Sequence, residues 1–179
     1  LTLPQVPRPR SFGARHGIFK QPILGSSMRA SAPLPIYRAV DLKNADPAER
    51  RQANLKSLRA LAERIAEGSF SALFPEGLSH DAPHLLELKT GAARLYYQAR
   101  ALQPADAPPA VIIPVGLHYD DKDIFRSRAL VEFFPPLELD PVLEYDPDAD
   151  DEKQQRQARA LTAAIEKTLH DVVLATRIT

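Results

Sequence analysis

Between Phe74 and Asp81 the chain reads Phe-Pro-Glu-Gly-Leu-Ser-His-Asp, which gathers a carboxylate, a glycine turn and several further polar side chains into one loop. Glu76 follows an apolar stretch closed by Pro75, and Gly77 lets the backbone turn tightly beside it. A carboxylate so placed can accept hydrogen bonds from substrate hydroxyls, hold a neighbouring arginine, or satisfy backbone amides of its own turn. Other chemistries are disfavoured by residue type or spacing. The chain has no cysteine, which removes disulfides, thiolate nucleophiles and cysteine zinc sites and favours a reducing compartment. His80 and His84 are four apart, but Pro83 lies between them and breaks the helix that a zinc pair would use. Ser79, His80 and Asp81 are neighbours in sequence, which do not generally face one another as a nucleophilic triad requires, and no Gly-x-Ser-x-Gly elbow surrounds them. Neither a glycine-rich phosphate loop nor a dinucleotide fingerprint occurs, and no nucleic-acid partner, cofactor or metal is expected.

The elements that must position this loop are legible on either side of it. The length of 179 residues, with 44% hydrophobic and 26% charged content, fits one domain with a real core. Pro33 and Pro35 bracket a short extended segment, Leu34 to Arg38. Asp46 as N-cap, Pro47 at the first turn, Glu49 completing a capping box and Gly68 past the end predict a helix, with Leu55, Leu58, Leu61, Ala62 and Ile65 on its buried stripe. Phe70 to Phe74 reads as a buried strand, followed by a helix from about Thr90 to Leu102. A proline-rich connection leads to a second buried strand, Val111 to Val115, and Arg128 to Phe134 forms a third, stopped by Pro135 and Pro136. The last helix is predicted over about Asp151 to Ala175, with Leu161, Ile165, Leu169 and Val172 inward. Alternating strands and helices predict an α/β fold, a layered αβα arrangement around a mainly parallel, partly mixed sheet. Ligands of such sheets bind at the carboxyl ends of strands, which is where Glu76 stands.

The net charge of zero hides an asymmetry. Residues 1–40 carry Arg8, Arg10, Arg15, Lys20, Arg29 and Arg38 with no acidic residue, and the balancing excess of acid lies in residues 41–179, concentrated between Asp140 and Glu152. A basic amino-terminal region suits phosphate groups or an anionic membrane surface, or is simply a solvated face.

The order of segments resembles the phospholipid/glycerol acyltransferase family, which esterifies glycerol phosphates or lysophosphatidic acid with a fatty acyl thioester. Phe74-Pro75-Glu76-Gly77 is similar to that family's third block, Leu88-Lys89-Thr90-Gly91-Ala92-Ala93 to its continuation, and Val111-Ile112-Ile113-Pro114-Val115-Gly116 to the fourth. Leu34-Pro35-Ile36-Tyr37-Arg38 stands where the second block ends in an arginine. Ser79-His80-Asp81 and Phe125-Arg126-Ser127-Arg128 resemble the glycerol-3-phosphate and dihydroxyacetone-phosphate branch, although Arg126 and Arg128 also simply flank a strand. Ala32 and Phe134 stand where the family tends to glycine. The resemblance implies a glycerol-phosphate contact for Arg38, Glu76 and Gly77, with Ser79 beside them, and an acyl-donor side for Pro114. It implies an acyl-CoA or acyl carrier protein thioester as co-substrate, a glycerol phosphate or lysophospholipid acceptor, and a place on the cytoplasmic face of a membrane.

The family's first block, His-x-x-x-x-Asp, supplies the general base and is expected ahead of the second. Upstream of Arg38 the chain has only His16, and five positions on stands Gln21. No catalytic pair is therefore expected among residues 1–179, which read as a single acyltransferase domain incomplete at its amino terminus and possibly at its carboxyl terminus. The alternative is a non-catalytic lipid- or phosphate-binding pseudoenzyme of the same fold.

Overall fold

The computed structural model describes residues 13–15, 34–36, 46–78, 82, 84–121 and 123–176. In chain order these form β1 (Gly13–Arg15), β2 (Leu34–Ile36), α1 (Pro47–Ala66), α2 (Gly91–Leu102), β3 (Val115–Tyr119), β4 (Ala129–Phe133), a 3-10 turn (Pro141–Leu143) and α3 (Asp151–Thr176). Contacts divide the chain into two compact units, one of Leu1–Leu73 with Leu95–Ala110 and one of Phe74–Arg94 with Val111–Thr179.

In the first unit, α1 begins where the sequence places it, but by a different device. Asp46 has extended backbone, φ −57° and ψ 144°, and its side chain makes no capping hydrogen bond, so the expected capping box with Glu49 does not form. Pro47 starts the helix through its fixed φ and its lack of an N–H to satisfy. The other end is closed by a Schellman motif: the Gly68 N–H donates to the Ile65 carbonyl at 2.9 Å, the Ser69 N–H to the Arg64 carbonyl at 3.0 Å, and Gly68 takes φ +90°. Leu61 and Ala62 of α1 cluster with Leu95 and Ala99 of α2, all fully or nearly buried, and Leu58, Ile65 and Leu73 pack around them. Leu55, expected on the same stripe, stays exposed. β1 and β2 pair in parallel, Gly13 with Leu34 and Arg15 with Ile36.

In the second unit, β3 and β4 form an antiparallel hairpin with Val115 opposite Phe133 and Tyr119 opposite Ala129. Helix α3 packs on β3, and Ala158, Leu161, Ile165 and Val172 are buried along it. Asp150 caps α3 by accepting the Lys153 N–H at 2.7 Å, and the buried Gln157 amide donates to the carbonyls of Val142 and Glu144, tying the preceding turn to the helix.

The mainly parallel layered sheet is not what the described residues form: they make two separate two-stranded ladders, one parallel and one antiparallel. Two expected strands account for the difference. Phe70 makes a single bridge and residues 71–74 join no ladder. A buried parallel strand is covered on both faces, whereas only Leu73 of this segment packs against the α1–α2 cluster and Phe70 and Phe74 are exposed. Val111 to Val115 is displaced, because the regular strand starts only at Val115. Pro114 has no N–H, so it cannot exchange both bonds of an antiparallel pair. The ladder instead continues one-sidedly: the Pro114 carbonyl accepts from the Phe134 N–H at 3.0 Å and the Ile112 carbonyl from the Leu137 N–H at 2.8 Å.

Candidate substrate-binding site

The Phe74–Gly77 segment is a tight turn, closed by the Gly77 N–H donating to the Phe74 carbonyl at 3.0 Å. Gly77 sits at φ +74°, a left-handed conformation that L side chains seldom adopt. A methyl group there would meet only the Lys89 Cγ at an ordinary 3.6 Å, so backbone conformation rather than space is what calls for glycine. Glu76 is half-buried, and its Oε1 accepts the Leu86 N–H at 2.8 Å. One residue before it, the Pro75 carbonyl accepts the Lys89 N–H at 2.8 Å. These two bonds clasp the turn to residues 86–89, and Thr90 then opens α2, its carbonyl accepting the Arg94 N–H at 2.9 Å. The third block and its continuation are thus one locked piece of backbone.

Glu76 therefore does what the plainest reading of a turn carboxylate allows, satisfying a backbone amide, although that amide lies ten residues away. Electrostatics agrees with this role, since a carboxylate repels a phosphate and cannot be its direct ligand without a cation between them. Pro114 is buried and lies in the same unit, on the one-sided ladder that precedes β3. Arg38 and Ser79, the other two expected contacts, lie outside the described residues, as does most of the basic region 1–40. The imidazole of His84 belongs to an exposed residue. Among the described residues no cluster of histidine and carboxylate groups could hold a metal ion.

Sequence reasoning passed over one arrangement. The spacing His-x-x-x-x-Asp does occur in the chain, at His118 and Asp123, downstream of the fourth block rather than upstream of the second. Both residues line an open cleft of about 470 Å³ together with Ala82, Leu117, Tyr119, Asp120 and Asp121. Both are exposed, with His118 on β3 and Asp123 in the loop that follows. The five-residue spacing was the signal that could have found them.

Comparison with known proteins decides the family. The Acyltransferase family profile matches residues 1–118. The chain belongs to that family. It is 32% identical over 118 residues to glycerol-3-phosphate O-acyltransferase 2 of Saccharomyces cerevisiae, which covers 66% of this chain and 16% of that protein. It is 42% identical over 80 residues to glycerol-3-phosphate O-acyltransferase 1 of the same yeast, covering 43% of this chain and 10% of that protein. An uncharacterized acyltransferase of Schizosaccharomyces pombe is 40% identical over 76 residues, 42% of this chain and 11% of its own length. The chain thus spans no more than about a sixth of these acyltransferases. No solved structure gives a significant match.

Proposed function

We propose that this acyltransferase segment belongs to a glycerolipid O-acyltransferase that moves a fatty acyl group from a thioester to glycerol 3-phosphate, dihydroxyacetone phosphate or lysophosphatidic acid, and that it supplies the acceptor-binding half of the site. The observation that carries this reading is the clasp of the Phe74–Gly77 turn on residues 86–89, which joins the third block to its continuation through Glu76 and Pro75. Two glycerol-3-phosphate O-acyltransferases of yeast match 118 and 80 residues of the chain. In this reading Arg38 meets the acceptor phosphate, Glu76 and Gly77 hold the loop that receives the glycerol moiety, Ser79 adds a polar contact to the acceptor and Pro114 flanks the acyl chain. The donor is an acyl-CoA or acyl carrier protein thioester, and no resident cofactor takes part. In the transfer the acceptor hydroxyl oxygen attacks the thioester carbonyl, its proton passes to a general base, and the thiol leaves. The basic excess within residues 1–40 suits a protein that works on the cytoplasmic face of an anionic membrane. Among the described residues no helix is long and apolar enough to cross one.

The test is Arg38→Ala in the longest active form of the protein. It raises the KM for glycerol phosphate about tenfold or more, the worth of one charge-assisted contact to phosphate, and leaves the KM for the acyl donor within about twofold. An unchanged glycerol-phosphate dependence removes Arg38 from the site.

A further inference from the structure

The loop joining β3 to β4 carries Phe125-Arg126-Ser127-Arg128, which resembles the glycerol-3-phosphate branch and to which the proposed function assigns no role. It is closed at its base by the Asp120 N–H donating to the Arg128 carbonyl at 3.1 Å and by the Arg128 Nε donating to Asp120 Oδ2 at 2.8 Å. Higher up, Ser127 Oγ accepts the Asp121 N–H and Asp121 Oδ1 accepts the Asp123 N–H, at 2.8 and 2.9 Å. The tip is a turn over Ile124 to Ser127, in which the Ser127 N–H donates to the Ile124 carbonyl at 3.1 Å. Phe125 and Arg126 are its two central residues. The loop is therefore built by its own hydrogen bonds, yet it projects Phe125 at 89% exposure and Ile124 at 62%. Neither side chain lines the His118 cleft.

Arg126 makes the tip harder to explain as an ordinary turn. It stands at φ +69°, the only non-glycine residue at positive φ among those described. The third position of such a turn is one that glycine or asparagine fills at little cost. An arginine kept there against its backbone preference points to a use for its side chain. The guanidinium lies over the Phe125 ring, 5.6 Å from its centroid, so the tip presents an aromatic ring, a branched aliphatic chain and a cation together. The three loop aspartates are turned to the His118 cleft, Asp120 also pairing with Arg128 and Asp121 accepting the Asp123 amide, whereas Ile124, Phe125 and Arg126 form no part of that cleft.

We infer that the Ile124–Phe125–Arg126 tip is an interfacial anchor, which seats its apolar pair among the acyl chains of an anionic bilayer while Arg126 meets a lipid phosphate. Apolar Phe and Ile side chains with a basic residue beside them are the composition of surfaces that seat in a membrane interface. Because apolar burial and charge act together, the tip contributes as one of the two signals that stable surface attachment needs. The inference takes up the membrane contact proposed above and does not depend on acyl transfer.

The chain contains no tryptophan, so Phe125→Trp in the full chain installs a single reporter at the tip. With vesicles of equal parts phosphatidylcholine and phosphatidylglycerol, its emission shifts to the blue and is quenched by brominated acyl chains. In cosedimentation with the same vesicles, Phe125→Ser lowers the partition coefficient about tenfold, the loss of one buried aromatic. Arg126→Gly relieves the backbone, leaves the fold at least as stable, and lowers partition about fivefold on anionic vesicles only. Vesicle binding with unshifted tryptophan emission overturns the anchor while leaving the membrane reading intact, and no vesicle binding at all overturns both. A shift that appears without lipid as protein concentration rises assigns the tip to a second copy of the chain. Displacement by free glycerol phosphate, with vesicles absent, assigns Arg126 to a soluble anion; either result overturns the proposal.

Discussion

At the scale of single residues, Glu76 and Gly77 separate what a side chain touches from what it serves. The carboxylate is committed to the Leu86 amide, and the glycine to a backbone shape. Glu76→Ala leaves that amide without its acceptor and destabilises the second unit by about 1–3 kcal/mol, whereas Glu76→Gln keeps an acceptor oxygen and recovers most of the loss. Gly77→Ala costs about 1–2 kcal/mol through its φ alone. Urea denaturation midpoints of the three variants check this; equal midpoints for Ala and Gln at position 76 would remove the clasp from the account. The sequence showed that a carboxylate and a turn belonged here. It could not show the amide ten residues on, because local spacing does not reveal which non-local donor a loop folds back to meet.

At the scale of elements, the helices were legible and the sheet was not. The bounds of α1, α2 and α3 follow from apolar periodicity and from Pro47, Gly68 and the acidic start of α3, which are local signals. Strand pairing is decided by partners far along the chain, so Phe70–Phe74 and Val111–Val115 carried the composition of strands without the ladder. Within α2, Tyr96 and Tyr97 meet edge to face, with ring centroids 5.4 Å apart. Burial, then the neighbouring Tyr96, pushes the Tyr97 phenol from its ordinary 10.0 up to about 12. The fold therefore holds a proton that the unfolded chain releases first. Stability from this group is fully present below about pH 10 and is lost as pH rises towards about 12. Tyr97→Phe is expected to flatten the fall in urea midpoint across that window, and an identical alkaline fall in the variant would place the loss elsewhere.

At the scale of the whole molecule, the charge asymmetry and the site divide along the chain. The family match ends at residue 118, and the acidic stretch from Asp140 to Glu152 follows beyond it, where Asp146 pairs with Lys153 at the start of α3. Family membership was readable from block order, because short motifs carry their own local geometry. The placing of Arg38 and Ser79 lies outside the described residues. Acyl transfer needs a base on the acceptor hydroxyl, and the block expected to supply it does not precede Arg38 in these 179 residues. The chain by itself is accordingly expected to turn over acyl thioester about 100- to 10,000-fold more slowly than a form carrying that block. A radiolabelled acyl-CoA assay checks this. Robust turnover that disappears in His118→Ala would show that the cleft beside β3, rather than an upstream block, holds the base.

The one-sided ladder at Pro114 has a consequence for solubility. Val111, Ile112 and Ile113 form a run of β-prone residues, with Val111 and Ile113 exposed, of the kind that stacks between chains. Prolines bound it on both sides, Pro108 and Pro109 before and Pro114 after, none of them has an N–H to give a ladder, and the Pro114 carbonyl is already taken by the Phe134 N–H. The residue that shortens β3 thus also acts as a gatekeeper against edge-to-edge aggregation.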